Sequence, residues 1–536
     1  MLKSLGWCVA GVLSAALLGA AAADESGTQP AKPEPPPFEH YKPLEHTTTG
    51  AVTVEGRRIE YQAIAGTLVV HAKGWEDLPQ SEKNDPKNPP AEASMFYAAY
   101  FARGPQAGNR PITFVYNGGP GSASLWLHMG AFGPRRVVTA DDKHTPGPPY
   151  RLANNDYSLL DASDLVFIDA PGAGFSRIQG KDKEKAFWGV DADADAFATF
   201  ITEFLTKYGR WNSPRFLFGE SYGTTRNAVL VNVLVTQRDT DMNGVMMLSQ
   251  ILAFDNSPDG PEGNPGIDQP YVLALPTYAA TAWYHHRLPN PPASLDALLP
   301  QVEQFAIGDY AAALAAGSTL EPARKHEIAG KLHEYTGLPV QYIEKADLRV
   351  NGGEFTKSLQ DNNDLTTGRL DTRYSGTTLD PLSKEAEYDP TVAGIASSFV
   401  SLFNEYVRKD LQFTPDYPVK LFADVDRTWE FKHKPPGAGQ PITIAPNVMV
   451  DLAHAMKYDR HLKVQVNGGY FDLATPFYEG IFEMHHLPMP VALQGNVEYH
   501  YYPSGHMVYL HEDSLKELHD NAAQFIRANS APGAGG

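Results

Sequence analysis

Short apolar runs separated by turn residues organise the first half of the chain. Residues 66–71, 95–101 and 111–116 are rich in β-branched and aromatic side chains and read as early, partly antiparallel strands. Residues 164–169 and 215–219 are apolar between their ends, the texture of strands buried on both faces. Between these two, Phe197, Phe200, Ile201, Phe204, Leu205 and Tyr208 recur at helical spacing and form one apolar stripe. Strand, helix, strand is a βαβ unit, which places the chain in the α/β class. Residues 244–248 predict one more buried strand, and strand texture returns only at 462–466 and 497–502. The core is therefore written in two pieces, 49–255 and 446–529.

The stretch between them, 256–445, has helical segments, many glycines and prolines and little buried-strand texture, as expected of an insertion that covers a site. Near the end, Ser514 and Glu517 have the spacing of a capping box. They predict a final helix running to Arg527, followed by a flexible Gly-Ala tail at 530–536.

With 42% hydrophobic and 11% aromatic residues among 536, the chain can bury a large core. Lys3, an apolar run through Leu18 and small residues up to Ala23 predict a secretory signal peptide, residues 1–23, cleaved near Ala23. That run is too short to span a bilayer, and no later segment offers about 20 consecutive apolar residues, so no stable membrane insertion is expected. The mature protein is expected outside the cytoplasm, secreted or periplasmic. Residues 24–48, with Pro30, Pro33, Pro35, Pro36 and Pro37, predict an extended proline-rich leader. Cys8, the only cysteine, leaves with the signal, and the bulky Trp7 before it argues against a lipid anchor. A formal net charge of −19 repels polyanions, which excludes nucleic acid as an expected partner.

A serine hydroxyl becomes a useful nucleophile only when a base takes its proton and a tight turn holds it clear of the following helix. Glycines on both sides make that turn possible, the physical content of G-x-S-x-G. Gly219-Glu220-Ser221-Tyr222-Gly223 matches it directly after a predicted strand and marks Ser221 as the candidate nucleophile. A second loop, Asn117-Gly118-Gly119-Pro120-Gly121, also follows a predicted strand. Its backbone N–H groups, with that of Tyr222 after the nucleophile, suit a developing oxyanion. On such a sheet an acid and then a base follow the serine along the chain, in loops at the C-terminal ends of strands. Asp472, after Asn467-Gly468-Gly469-Tyr470-Phe471, and His506, after Pro503-Ser504-Gly505, stand in those places. His285-His286 and His485-His486 are adjacent pairs that do not share a face. No H-E-x-x-H or cysteine cluster exists, so neither a metal nor another cofactor is expected.

Four separated blocks together resemble the serine carboxypeptidases: residues 117–121, 168–176 (Ile-Asp-Ala-Pro-Gly-Ala-Gly-Phe-Ser), 219–222 and 505–508. The resemblance implies the α/β-hydrolase fold. Its central, mostly parallel sheet would have helices on both faces and a largely helical cap inserted before the strands that carry Asp472 and His506. It implies release of C-terminal residues from peptides with a free C-terminus, through an acyl-enzyme. Ser221 would attack, His506 would move the proton and Asp472 would fix the imidazole. The N–H groups of Gly119 and Tyr222 would form the oxyanion hole, and Asn117 and Glu220 match the positions that bind the substrate's terminal carboxylate in the family. A carboxylate facing another carboxylate is repulsive unless one is protonated. Glutamic acid has a reference pKa of about 4.3 that burial or a like charge raises. Peptide binding is therefore expected to be tighter in acid.

The chain also departs from the family pattern. Val115 stands where tryptophan is usual, Ser122 where cysteine is usual, and Ala131 where a glutamate supports the carboxylate site. After the nucleophile, Gly223-Thr224-Thr225-Arg226-Asn227-Ala228 replaces the usual run, and Arg226 has two readings: a compensating charge, or a surface cap near the helix start. With the carboxylate network thinned, an esterase or acyltransferase on the same scaffold is the alternative, and a catalytically silent binding protein a further one.

Overall fold

Two positive-φ residues, Glu55 at 48° and Gly56 at 77°, turn the chain between its first two strands, Glu45–Val54 (β1) and Arg57–His71 (β2). A two-residue turn of that hand suits the twist of a hairpin. β2 begins well before the apolar run at 66–71 because its first residues alternate between solvent and core. Glu92–Ala102 (β3) adds antiparallel to β2. Then come Ile112–Tyr116 (β4), Asp164–Ile168 (β5), Arg177–Gln179 (β6), Arg215–Glu220 (β7), Gly244–Leu248 (β8), Lys463–Gly469 (β9) and Val497–Tyr502 (β10). The spatial order is β1-β2-β3-β5-β4-β7-β8-β9-β10, with β6 beside β3. The computed structural model describes residues 38–75, 89–104, 108, 110–425, 428–441 and 445–530. The expected signal peptide, residues 24–37 of the leader and residues 531–536 of the tail lie outside these, while the last four leader residues, 45–48, already belong to β1.

From β5 to β10 all neighbours are parallel. Every residue of β4, β5 and β8 is buried, which is why these strands are unbroken apolar runs. On one face lie helices Val190–Tyr208, Tyr222–Gln237 and Met449–Tyr458. Pro390–Lys409 and Glu512–Ala528 cover the other. The stripe Phe197, Phe200, Ile201, Phe204 and Leu205 is fully buried on the first face. The chain leaves β4 toward β5 on one side and returns to β7 on the other, so the sheet order reverses around β4. A crevice opens at the C-terminal ends of the strands at such a reversal.

The final helix corrects the expected capping box. It starts at Glu512, and His511, not Ser514, is its N-cap: His511 Nδ1 accepts the Ser514 N–H and lies 2.7 Å from Ser514 Oγ. Glu512 and Asp513 suit the positive end of the helix, and Ser514 is buried inside the first turn.

Between β8 and β9 the chain packs in two ways. Helices Gln269–Tyr284, Leu295–Phe305, Pro322–Thr336, Val340–Lys345 and Gly352–Ser358 surround an apolar cluster of their own. Helix Pro390–Lys409 instead buries Ile395, Phe399, Phe403 and Tyr406 in the sheet-face core beside Phe132 and Phe175. Among the described residues no helix is long and apolar enough to cross a membrane.

Candidate active site

Ser221 sits in the crevice, between the end of β7 and helix Tyr222–Gln237, with φ 61° and ψ −129°. That backbone is uncommon for a residue with a side chain, and the surroundings impose it. Its N–H donates to Leu248 O at 2.9 Å, and its own carbonyl accepts from Thr224 N–H at 2.7 Å. A side chain at Gly219 would meet Gly223 O at 2.2 Å, so the turn closes only with glycine there. The Ser221 side chain is partly exposed and makes no hydrogen bond among the described residues, to His506 or to any other group. Catalytic hydrogen bonds are often long without substrate and tighten when it binds.

The loop after β4 lies directly against this turn. A Cβ on Gly118 would fall 2.4 Å from Tyr222 N and 2.7 Å from Glu220 O, so only glycine permits the approach. Gly119 follows with φ 104°. No described acceptor takes the N–H of Gly119 or of Tyr222, the first residue of its helix. Two backbone donors therefore stand free beside the serine.

Arg226 is neither a surface cap nor a charge open to the crevice. It is buried, pairs with Asp193 through Nε–Oδ2 at 2.6 Å and Nη2–Oδ1 at 3.2 Å, and donates from Nη1 to Asn117 O at 2.8 Å. Its guanidinium carbon lies 4.2, 5.2 and 5.4 Å from the ring centres of Phe197, Tyr116 and Tyr222. The pair thus ties the loop after β4 to two helices. Asp193 carried no signal in the sequence.

Asp472 and His506 end the loops after β9 and β10. Asp472, fully buried, accepts from Ala474 N–H at 2.9 Å, Thr475 N–H at 3.0 Å and Thr475 Oγ1 at 2.7 Å, and Oδ2 lies 2.8 Å from His506 Nδ1. Burial disfavours the imidazolium, but Asp472 and then Glu220 outweigh it and hold His506 above its ordinary value. Leu248 and Ser249 stitch this pair to the serine, since Ser249 Oγ donates to His506 O at 2.7 Å next to the carbonyl that receives Ser221 N–H.

A segment the sequence did not flag, 369–373, is wedged between the two loops. Leu473 N–H donates to Arg369 O at 3.1 Å, Thr372 N–H to Phe471 O at 2.9 Å and His506 N–H to Leu370 O at 2.6 Å. Asp371 stands so close to Gly505 that a Cβ there would meet it at 2.4 Å. Residues from between β8 and β9 therefore brace the Asp472 and His506 loops in register.

Glu220 is buried immediately before Ser221. Burial pushes its carboxyl up to about 7, against the opposing pull of His506 and a hydrogen bond from Tyr509, whose hydroxyl donates to Oε2 at 2.9 Å. Asn117 Oδ1 accepts from Leu127 N–H at 3.1 Å, and its side chain supports Glu220. Val115 and Ala131 are both buried in the sheet-face core. Among the described residues no group of three or more His, Cys, Asp or Glu side chains is placed to hold a metal.

A family model described as serine carboxypeptidase matches residues 86–257, which include Asn117 and Ser221 and stop before Asp472 and His506. Serine carboxypeptidase-like 28 of Arabidopsis thaliana is 27% identical over 183 residues, 34% of this chain and 36% of the relative. Serine carboxypeptidase ctsa-3.2 of Caenorhabditis elegans is 28% identical over 175 residues, 31% of this chain and 32% of the relative. These matches thus span about a third of the curated relatives' length. Among solved structures, Kex1(delta)p, a prohormone-processing carboxypeptidase from Saccharomyces cerevisiae, superimposes with a TM-score of 0.50. It is 15% identical, over 87% of this chain and 91% of its own. At that identity the likeness speaks for the fold, which is that of the α/β-hydrolases.

Proposed function

We propose that the chain is a serine carboxypeptidase, an exported enzyme releasing C-terminal residues from peptides and favoured by acid, a reading supported by the family model over residues 86–257 and by the curated relatives. Ser221 Oγ attacks the scissile carbonyl while His506 Nε2 takes its proton, and the N–H groups of Gly119 and Tyr222 receive the oxyanion. His506 returns the proton to the leaving amine, and water then repeats the sequence on the acyl-enzyme. Asp472 holds the imidazole tautomer through Nδ1.

One observation carries the exopeptidase reading: a buried carboxyl, raised to about 7, directly before the nucleophile. Below that pH Glu220 is protonated and donates to the terminal carboxylate of a peptide, with Asn117 beside it. As pH rises through about 7 it ionises and repels the same carboxylate, so KM rises. Protonating Glu220 also removes one of the two anions that hold His506 up, so the base stays usable further into acid.

A blocked dipeptide acid, its C-terminal amide and its ester are the substrates to compare. Preference for the free acid, with a KM that climbs between pH 5 and 8 and a flat profile in Glu220→Gln, is the expected result. Activity confined to the ester favours an esterase or acyltransferase, for which Val115 and Ala131 are the motive. A fluorophosphonate is expected to label Ser221 and to leave Ser221→Ala unlabelled; no labelling of the wild type would make this a silent binding protein.

A further inference from the structure

Tyr509 follows His506 by three residues, in the turn Val508–Leu510, and nothing in the roles above uses it. It is buried, and its hydroxyl donates to Glu220 Oε2 at 2.9 Å. The ring fits only because Gly130 lies beneath it: a Cβ there would fall 2.6 Å from both Cδ2 and Cε2 of Tyr509. Glycine in the helical turn Leu127–Phe132 thus makes room for a phenol that reaches the carboxyl from the side of the His506 loop.

The donors and acceptors around Glu220 have a definite arrangement. The groups facing it are Tyr509, His506 and Asp472 from the loops after β10 and β9, and Asn117 from the loop after β4. Asn117 spends Oδ1 on Leu127 N–H, which leaves Nδ2, a donor, for the Glu220 side. Burial beside Glu220 holds the Tyr509 phenol well above its ordinary value, so it remains a donor throughout the working range. A protonated carboxyl that accepts a hydroxyl proton at Oε2 keeps its own proton on Oε1.

We infer that Tyr509 is a positioning residue for substrate recognition: by occupying Oε2 it places the acid proton of Glu220 on Oε1, toward the peptide carboxylate, and sets the pH range over which that acid persists. The inference rests on the carboxylate-binding role proposed for Glu220. The sign follows from the hydrogen bond, because a donor to Glu220 favours the ionised form and its loss favours the protonated one.

Tyr509→Phe keeps the ring and deletes the donor. The expected result is a midpoint of the KM rise displaced upward by about half to one pH unit, and a KM in acid several-fold higher because the proton is no longer directed, on the scale of one hydrogen bond. kcat for the ester, which offers no free carboxylate, should stay at the wild-type level. A midpoint that stays put or moves down would overturn the inference, as would an ester kcat that falls in parallel with the acid. Gly130→Ala, which retains the phenol but crowds its ring, should displace the midpoint in the same direction; a folded variant with the wild-type profile counts against it. Glu220→Gln separates the two layers. If it keeps the wild-type pH dependence, the carboxylate role itself fails; if it flattens the profile while Tyr509→Phe leaves it unmoved, only the role of Tyr509 fails.

Discussion

Ser221 holds a backbone conformation that costs an ordinary residue about 1–3 kcal/mol, and its neighbours show where that cost is met. Gly219 and Gly223 touch, Gly118 lies on Tyr222 N, and Arg226 anchors the loop that carries Gly118 through Asn117 O. Asp193 is the counter-charge of that anchor. Asp193→Ala leaves a guanidinium buried with no ionic partner, and stability should fall by about 3–5 kcal/mol, read as a lower denaturant midpoint at unchanged slope. Turnover should fall with it, because Asn117 and Gly119 lose their tie to helix Tyr222–Gln237. Of these residues Ser221 was legible in the sequence, since a positive-φ turn flanked by glycines is a local requirement with a local signature. Arg226 was visible but ambiguous. Its partner lies in another helix, and no local pattern distinguishes Asp193 from Asp191, the other acid of its first turn.

The segment leading to His433 binds several elements of the site together. Lys420 bridges to Gly174, Phe422 to Ser122 and Glu430 to Gly189, and the Trp429 ring stands 5.2 Å from that of Tyr222. His433 closes the segment, buried between Asp191 Oδ1 and Asp451 Oδ2, each at 2.7 Å. Burial works against the imidazolium, yet Asp191 and Asp451 lift it to about 9. A histidine raised in the folded state contributes stability that is complete below its unfolded value of about 6.5 and is lost as pH rises through about 9. Burial raises Asp451 as well, which offsets part of that gain. Tm should therefore decline between pH 7 and 9.5, and His433→Gln should remove most of the decline. Elements themselves were the most legible level. The stripe in Val190–Tyr208 and the apolar strands are legible in their periodicity, whereas the last helix starts before Ser514 because the His511 imidazole accepts the capping hydrogen bond, a role that the Ser514–Glu517 spacing does not signal.

At the scale of the molecule, the site exists because β4 and β7 are neighbours and their loops open into the same crevice, with the Asp472 and His506 loops two and three strands further along. The segment 369–373 then locks the last two loops from outside the sheet. By itself the sequence determined the class of fold, the turn at Ser221, the glycine loop at 117–121, and Asp472 and His506 as candidates in chain order. Each of these is a property of a short stretch: a two-residue or 3.6-residue period, a glycine where φ must be positive, a loop after a buried strand. Only the tertiary structure decided that Arg226 faces Asp193, that residues 369–373 brace the histidine, and that Tyr509 reaches Glu220 across 289 positions of chain. Such contacts depend on the order of strands in the sheet and on which helices cover each face. A local pattern encodes how a segment folds and which side it buries, and is silent on what it will meet there.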